Sequence, residues 1–315
     1  MIASNSGFYQ SAINLNNSSQ GIAQRFDIVI GSGRRGQTYL YWEGDRLFEL
    51  PISWWTYTRE WINSPGYPPD QVHFHRPIIP RCLECHTTSF HAAPDPNTSN
   101  PQDSNSFRRS SLVLGIGCEK CHGPGAEHAE RERSAHPPPA GSPEIAIVNP
   151  ARLPRGRQMD LCSLCHAGVG QPLQPALSYR PGDVLAHYLA IASPPPGAPI
   201  DVHGNQVSAL ERSRCFTSGR LTCSTCHNVH ERQETVDAYS VHCLQCHAVE
   251  SCPRFKVFGE MIRSKCVECH MPEGKSEGLH STTEGHFLQA ELRTHLIAIY
   301  PAATFTRHAA HGTAR

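Results

Sequence analysis

The chain has 315 residues, with 28 basic side chains set against 28 acidic ones and a formal net charge of zero. That balance leaves no electrostatic footprint for nucleic acid or an anionic membrane surface, and no apolar run approaches the ~18 residues of a bilayer-spanning helix. Hydrophobic residues make up 38%, lean for a chain that must build its core from side chains alone, and 26 prolines break up long regular elements.

The first residues, Met1-Ile-Ala-Ser-Asn-Ser-Gly-Phe8, carry neither the charged n-region nor the apolar h-region of an export signal. Residues 24–60 then alternate as strands do: Arg25-Phe-Asp-Ile-Val-Ile30, Gln37-Thr-Tyr-Leu-Tyr-Trp42 and Arg46-Leu-Phe-Glu-Leu50 predict a small antiparallel sheet. Gly31-Ser-Gly33-Arg-Arg-Gly36 matches the glycine spacing of a dinucleotide-binding turn. That turn needs a helix after it to hold a pyrophosphate, whereas residues 37–42 read as a strand, so a hairpin turn is expected here. Further on, Pro, Ser and Asn crowd residues 92–110, 136–156 and 171–200, where loops are expected, and short helical patterns fall at 205–214, 256–265 and 287–296.

From Pro80 onward one pentapeptide recurs six times: Cys82-Leu-Glu-Cys85-His86, Cys118-Glu-Lys-Cys121-His122, Cys162-Ser-Leu-Cys165-His166, Cys223-Ser-Thr-Cys226-His227, Cys243-Leu-Gln-Cys246-His247 and Cys266-Val-Glu-Cys269-His270. Paired cysteines alone would suit tetrahedral zinc, and a single C-x-x-C a thiol redox centre. The histidine that always follows decides otherwise. With 20 His in 315 residues, six such successions by accident fall below roughly 10⁻⁶. In this motif two thiols add to the vinyl groups of one porphyrin and the His ligates its iron, which predicts six covalently bound c-type haems with proximal ligands His86, His122, His166, His227, His247 and His270. Haem c is attached outside the cytoplasm. A periplasmic or extracellular location follows, and with it the expectation that an export signal lay ahead of Met1.

Only 15 residues separate His227 from Cys243 and 18 separate His247 from Cys266, so chain reach makes the last three haems near neighbours. Methionine can fill few sixth positions, because beyond Met1 there are Met159, Met261 and Met271, and Met271 directly follows a proximal His. Histidine can fill them all, since 14 remain, which predicts mostly bis-His haems. His128, His203, His230 and His295 are the leading distal candidates. His73, His75, His91, His187 and His242 form a second tier, and His308 and His311 lie in a terminal context that frays. His230 stands three residues past His227 and His242 directly before Cys243. Three residues span at most ~10 Å, too little to round a porphyrin, so such a residue would serve a neighbouring haem. Cys215 and Cys252 stand outside the motifs, with a disulfide, simple burial and a reactive thiol all open.

The strings Gly117-Cys-Glu-Lys-Cys-His-Gly-Pro-Gly-Ala-Glu-His128, Cys223-Ser-Thr-Cys-His-Asn-Val-His230 and Cys266-Val-Glu-Cys-His-Met-Pro272 resemble multihaem cytochromes c related to the tetrahaem cytochrome of ammonia oxidation. Hydroxylamine oxidoreductase and the multihaem nitrite reductases are more distant relatives. Further stretches, Ile30-Gly-Ser-Gly33, Gly36-Gln-Thr-Tyr-Leu-Tyr-Trp42, Val202-His-Gly-Asn-Gln206 and Arg293-Thr-His-Leu-Ile-Ala-Ile-Tyr300, are similar to exported multihaem proteins that usually begin with an additional haem site. The resemblance implies truncation at the N-terminus and upper-ligand positions for His128, His203, His230 and His295. No C-x-x-C-K site occurs, so the lysine-ligated catalytic haem of the nitrite reductases has no counterpart.

The expected fold is therefore that of a multihaem cytochrome c: loops and short α-helices wrapped around six haems, with a small N-terminal antiparallel β-sheet, an α+β chain of little regular structure. Residues 1–78 would form the β-rich segment and 79–315 the hexahaem domain. The expected function is extracytoplasmic electron transfer with redox partner proteins, such as other cytochromes or a quinol-linked complex. The alternative is an oxidoreductase acting on a small nitrogen or sulfur compound at one five-coordinate haem. Oligomers or haem-to-haem stacked assemblies are left open.

Overall fold

A computed structural model describes the chain except residues 1, 5–6, 15–16, 69–71, 135–138, 140–145, 194, 196–197, 199–205, 233–234, 284 and 302–315. Strands β1 (Ile2–Ser4), β2 (Gly7–Asn14) and β3 (Asn17–Arg25) form an antiparallel sheet in that order. Strands β4 (Ile28–Ile30), β5 (Gly36–Glu43), β6 (Arg46–Glu49), β7 (Ile52–Trp55), β8 (Glu60–Asn63) and β9 (Arg76–Pro77) form a second sheet of order β8-β7-β5-β6-β9, with β4 also paired to β5. The predicted strands at 25–30, 37–42 and 46–50 are its β4, β5 and β6, and the sequence reading missed the rest. Gln10 is buried on β2, and its side-chain amide donates to Ile52 O at 2.6 Å and accepts from Ile52 N at 3.0 Å.

Alternation explains how the second sheet is covered on both faces. Leu40 and Leu47 join Ile28, Ile78, Leu83, Phe90 and Phe107 in one core, while Tyr39, Tyr41 and Phe48 join Leu50 and Phe74 in another. Leu83 is the second residue of the first Cys-x-x-Cys-His motif, so the sheet seats that motif directly. The glycine-rich stretch is the expected hairpin turn, with Ile30 opposite Thr38 across the pair. Gly31 has φ +104° there, and a Cβ on it would come 2.5 Å from Gly36 O, which leaves glycine as the fitting residue.

Beyond the sheet the elements are short. Helix α1 (Pro80–His86) leads into β10 (Thr87–Ser89), which pairs with β11 (Val113–Leu114); α2 (Glu119–His122), α3 (Ala126–Arg133) and α4 (Arg155–His166) follow. The tiny ladder β12 (Gln171–Pro172) with β13 (Leu189–Ala190) breaks the Pro-rich loop. Then come α5 (Gln206–Glu211), α6 (Arg214–Ser218), α7 (Ser240–Leu244), α8 (Phe255–Phe258), α9 (Cys266–His270) and the hairpin of β14 (Glu273–Thr283) and β15 (His286–Arg293). The helical pattern at 205–214 divides between α5 and α6 at Ser213, and that at 256–265 between α8 and a 3₁₀ stretch, Gly259–Ser264. The helix expected at 287–296 is instead β15, because Phe287 to Arg293 finds a partner strand in β14 and the two form a ladder.

The chain divides into two compact units. One comprises residues 1–165, 169–192 and 279–290; the other comprises 166–168, 193–278 and 291–315. Among the described residues no helix is long and apolar enough to cross a membrane.

Candidate haem attachment sites

Each Cys-x-x-Cys-His motif sits on one turn of helix, and the reason is geometric. Helical spacing puts the first Cys, the second Cys and the His, at i, i+3 and i+4, on a common face. The first, third and sixth motifs end α1, α4 and α9. In the second, fourth and fifth the His N–H closes the turn on the first Cys carbonyl, with His122 N to Cys118 O at 3.0 Å, His227 N to Cys223 O at 2.9 Å and His247 N to Cys243 O at 3.0 Å. Pro80 opens α1, where its fixed φ suits the first turn, and Thr87 stops it by adopting extended backbone while its hydroxyl donates to Leu83 O at 2.7 Å.

The surroundings of these motifs test whether a porphyrin fits them. Val113, Leu114 and Ile116, 51–56% exposed, stand just ahead of Cys118. Val169 after His166, Val229 after His227 and Val241 before Cys243 are exposed as well. Apolar side chains thus stand exposed beside the second, third, fourth and fifth motifs, surface that a bound apolar cofactor could cover. The imidazoles agree. His122 Nδ1 lies 2.8 Å from Val148 O and His270 Nδ1 2.8 Å from Ala298 O. A carbonyl can only accept, so Nδ1 donates in both rings, the usual outer bond of a ligating histidine.

His227 and His295 form the sharpest feature of the second unit. Their ring centroids are 6.2 Å apart and their planes 30° from parallel. That spacing is within reach of two imidazoles that would hold one metal ion between them. Their Nδ1 atoms are engaged elsewhere: that of His295 with Gln206 Oε1 at 2.7 Å and that of His227 with the Tyr239 hydroxyl at 3.4 Å. Ser213, almost fully buried, donates from its hydroxyl to His295 O at 3.2 Å and accepts from Ile297 N at 2.8 Å, pinning the backbone on both sides of the ring. Burial, then the nearby His227, push the His295 imidazole down to about 4, so the ring stays in the neutral, ligating form.

Within the units the motifs gather in groups. In the first unit Cys85 and Cys165 are neighbours, and Lys120 of the second motif lies within electrostatic reach of both. In the second unit Cys243 and Cys266 are neighbours, and burial, then the field of His227, lowers the His166 imidazole.

The other candidates are placed as follows. His128 is half-buried on α3, and His230 is exposed in the turn after His227, its N–H bonded to Asn228 Oδ1 at 3.1 Å. His203, His308 and His311 lie outside the described residues. His75 stands 3.7 Å from a Glu43 carboxylate oxygen, His73 beside Tyr67, His242 beside Tyr239, His91 on the surface and His187 on a 3₁₀ turn. Met159 is buried in α4 and Met261 is exposed. No disulfide joins Cys215 to Cys252: both are free thiols, and Cys215 lies near Cys226 and Cys243 while Cys252 lies near Cys269. Sequence reasoning gave no role to Gln206, Tyr239 or Ser213. The signal available was that Gln206 and His295 lie in two of the stretches that carry the family resemblance.

Residues 70–123 match the family model of cytochrome c554 and c-prime. Among solved structures the chain is similar to the outer cell wall cytochrome OcwA, with a TM-score of 0.52 at 19% identity over 85% of this chain. It spans 66% of that structure's length. No curated protein sequence matches it. The chain has a multihaem cytochrome fold, with short helices mixed among antiparallel sheets.

Proposed function

We propose that this chain is an extracytoplasmic electron-transfer protein that binds six c-type haems, most of them through two histidines. The observation that carries the reading is the pair His227 and His295, whose spacing and outward Nδ1 bonds suit two ligands of one iron. When bound, haem c supplies reversible one-electron chemistry at its iron. The chain does the rest. Its twelve motif cysteines would tether the porphyrins, and His86, His122, His166, His227, His247 and His270 would ligate the irons. His295 would join His227 at the fourth site, with His128, His203 and His230 as further ligands elsewhere. Val148 O, Ala298 O and Gln206 fix ring orientation and ligand basicity.

Residues 1–78 and 79–315 are, in this reading, a β-rich seat and the haem-bearing segment. Export to the periplasm or beyond follows from haem c, and the cell-wall setting of OcwA supports it. The partners are redox proteins, either other cytochromes or a quinol-linked complex. The test is a haem count and a low-temperature EPR spectrum of the ferric chain, produced with an export signal and haem maturation machinery. Six haems, all low-spin, are expected. A high-spin component equal to one haem would overturn the carrier reading in favour of an oxidoreductase with an open iron.

A further inference from the structure

Arg81 and Glu84 form a charged pair that its surroundings almost wholly enclose, with side chains 4% and 8% exposed. Arg81 directly precedes Cys82, and Glu84 lies between Cys82 and Cys85, so the pair sits at the first attachment motif. Their bonds reach into the third. Arg81 Nη2 donates to Leu164 O at 2.7 Å, between Cys162 and Cys165, and its Nε donates to Val169 O at 2.7 Å. Arg81 Nη1 donates to Glu84 Oε2 at 2.6 Å, and the second carboxylate oxygen accepts from Leu177 N at 2.8 Å. The guanidinium thus uses its rigid fork to hold two carbonyls and a carboxylate in fixed relative positions.

Stability alone does not explain such a pair. Removing two charges from water offsets most of their mutual attraction, and apolar residues of similar volume in their place would be as stable or more so. What the pair adds is geometry. The Cys85 thiol lies 3.7 Å from Leu164 O, the residue before Cys165, so the covalent anchors of two porphyrins start side by side although 75 residues separate the motifs.

We infer that the Arg81–Glu84 pair is a positioning clamp that holds the first and third attachment sites as one close-packed haem pair. The inference rests on the haem reading above. Closely packed porphyrins couple excitonically, so circular dichroism of the Soret band reports their mutual distance and angle. The experiment compares the haem-loaded full chain with three sets of variants: C82A/C85A and C162A/C165A, which delete the two sites; R81M; and R81M/E84L, which leaves no stranded charge and keeps the fold if R81M does not. The parent should show a bisignate couplet, and the two site deletions should each remove the same component of it, leaving what the remaining haems contribute. Both clamp variants should keep six haems by pyridine haemochrome assay while that component falls at least twofold. Site deletions that remove no common component, or a component unchanged in R81M/E84L with six haems bound, would overturn the clamp. A parent chain with no covalent haem would overturn the haem reading itself.

Discussion

Replacing His295 with Ala tests the axial pairing directly. With six attachment motifs, losing one upper ligand should turn one haem in six from low-spin to high-spin, read as a new ferric EPR signal near g of about 6 that integrates to about one haem per chain. Gln206→Leu should act more gently. It removes the 2.7 Å bond that orients the ring, and loss of such an outer partner weakens metal ligation about 10–100-fold, or about 1.4–2.7 kcal/mol. The His295 haem should then stay low-spin in the cold and gain high-spin character on warming. Pairing with the fourth site is tested by repeating His295→Ala in a chain that lacks Cys223 and Cys226. If the two residues serve one iron, no further high-spin signal appears in that background. The same signal there, or a fully low-spin His295→Ala protein, would refute the argument from the 6.2 Å ring spacing.

Two other outcomes are open to simple assays. Leu83→Ala should cost about 2–5 kcal/mol in thermal or denaturant unfolding, since Leu83 is 1% exposed and joins the sheet core to the first attachment helix. Thiol titration of the haem-loaded, unfolded chain should find two reactive thiols, the 14 cysteines less the 12 in motifs, because Cys215 and Cys252 are not joined.

The backbone geometry of the candidate motifs was legible because it is local. A pentapeptide that closes a single helical turn needs no tertiary partner to bring Cys, Cys and His to one face, so Cys82 to His86 could be read directly. The hairpin at Gly31–Gly36 was legible for the same reason, with strand alternation on either side of a turn. The outer bonds were not. Gln206 and His295 are 89 residues apart and meet only through tertiary packing, and the same holds for Arg81 with Leu164 across 83 residues. Residues 287–296 misled for a related reason: as β15 they find their hydrogen-bond partners in the adjacent strand β14, and pairing overrides weak helical periodicity.

The outward apolar side chains ahead of Cys118 carry the last consequence. Val113, Leu114 and Ile116 are each about half exposed, and a bound porphyrin would cover the exposed half. Full burial of such a side chain is worth about 1.5–3 kcal/mol, so half for each of three gives about 2–4 kcal/mol that the second site contributes through its haem. Cys118→Ala with Cys121→Ala should therefore lower the unfolding free energy by about that amount and raise binding of an apolar dye. Adding Val113→Thr, Leu114→Gln and Ile116→Thr to the same chain should abolish the dye signal without further loss of stability, because the patch then has nothing to bury. If removing the second site's cysteines leaves both stability and dye binding unchanged, these side chains are ordinary surface residues and the porphyrin is no part of the core at that site.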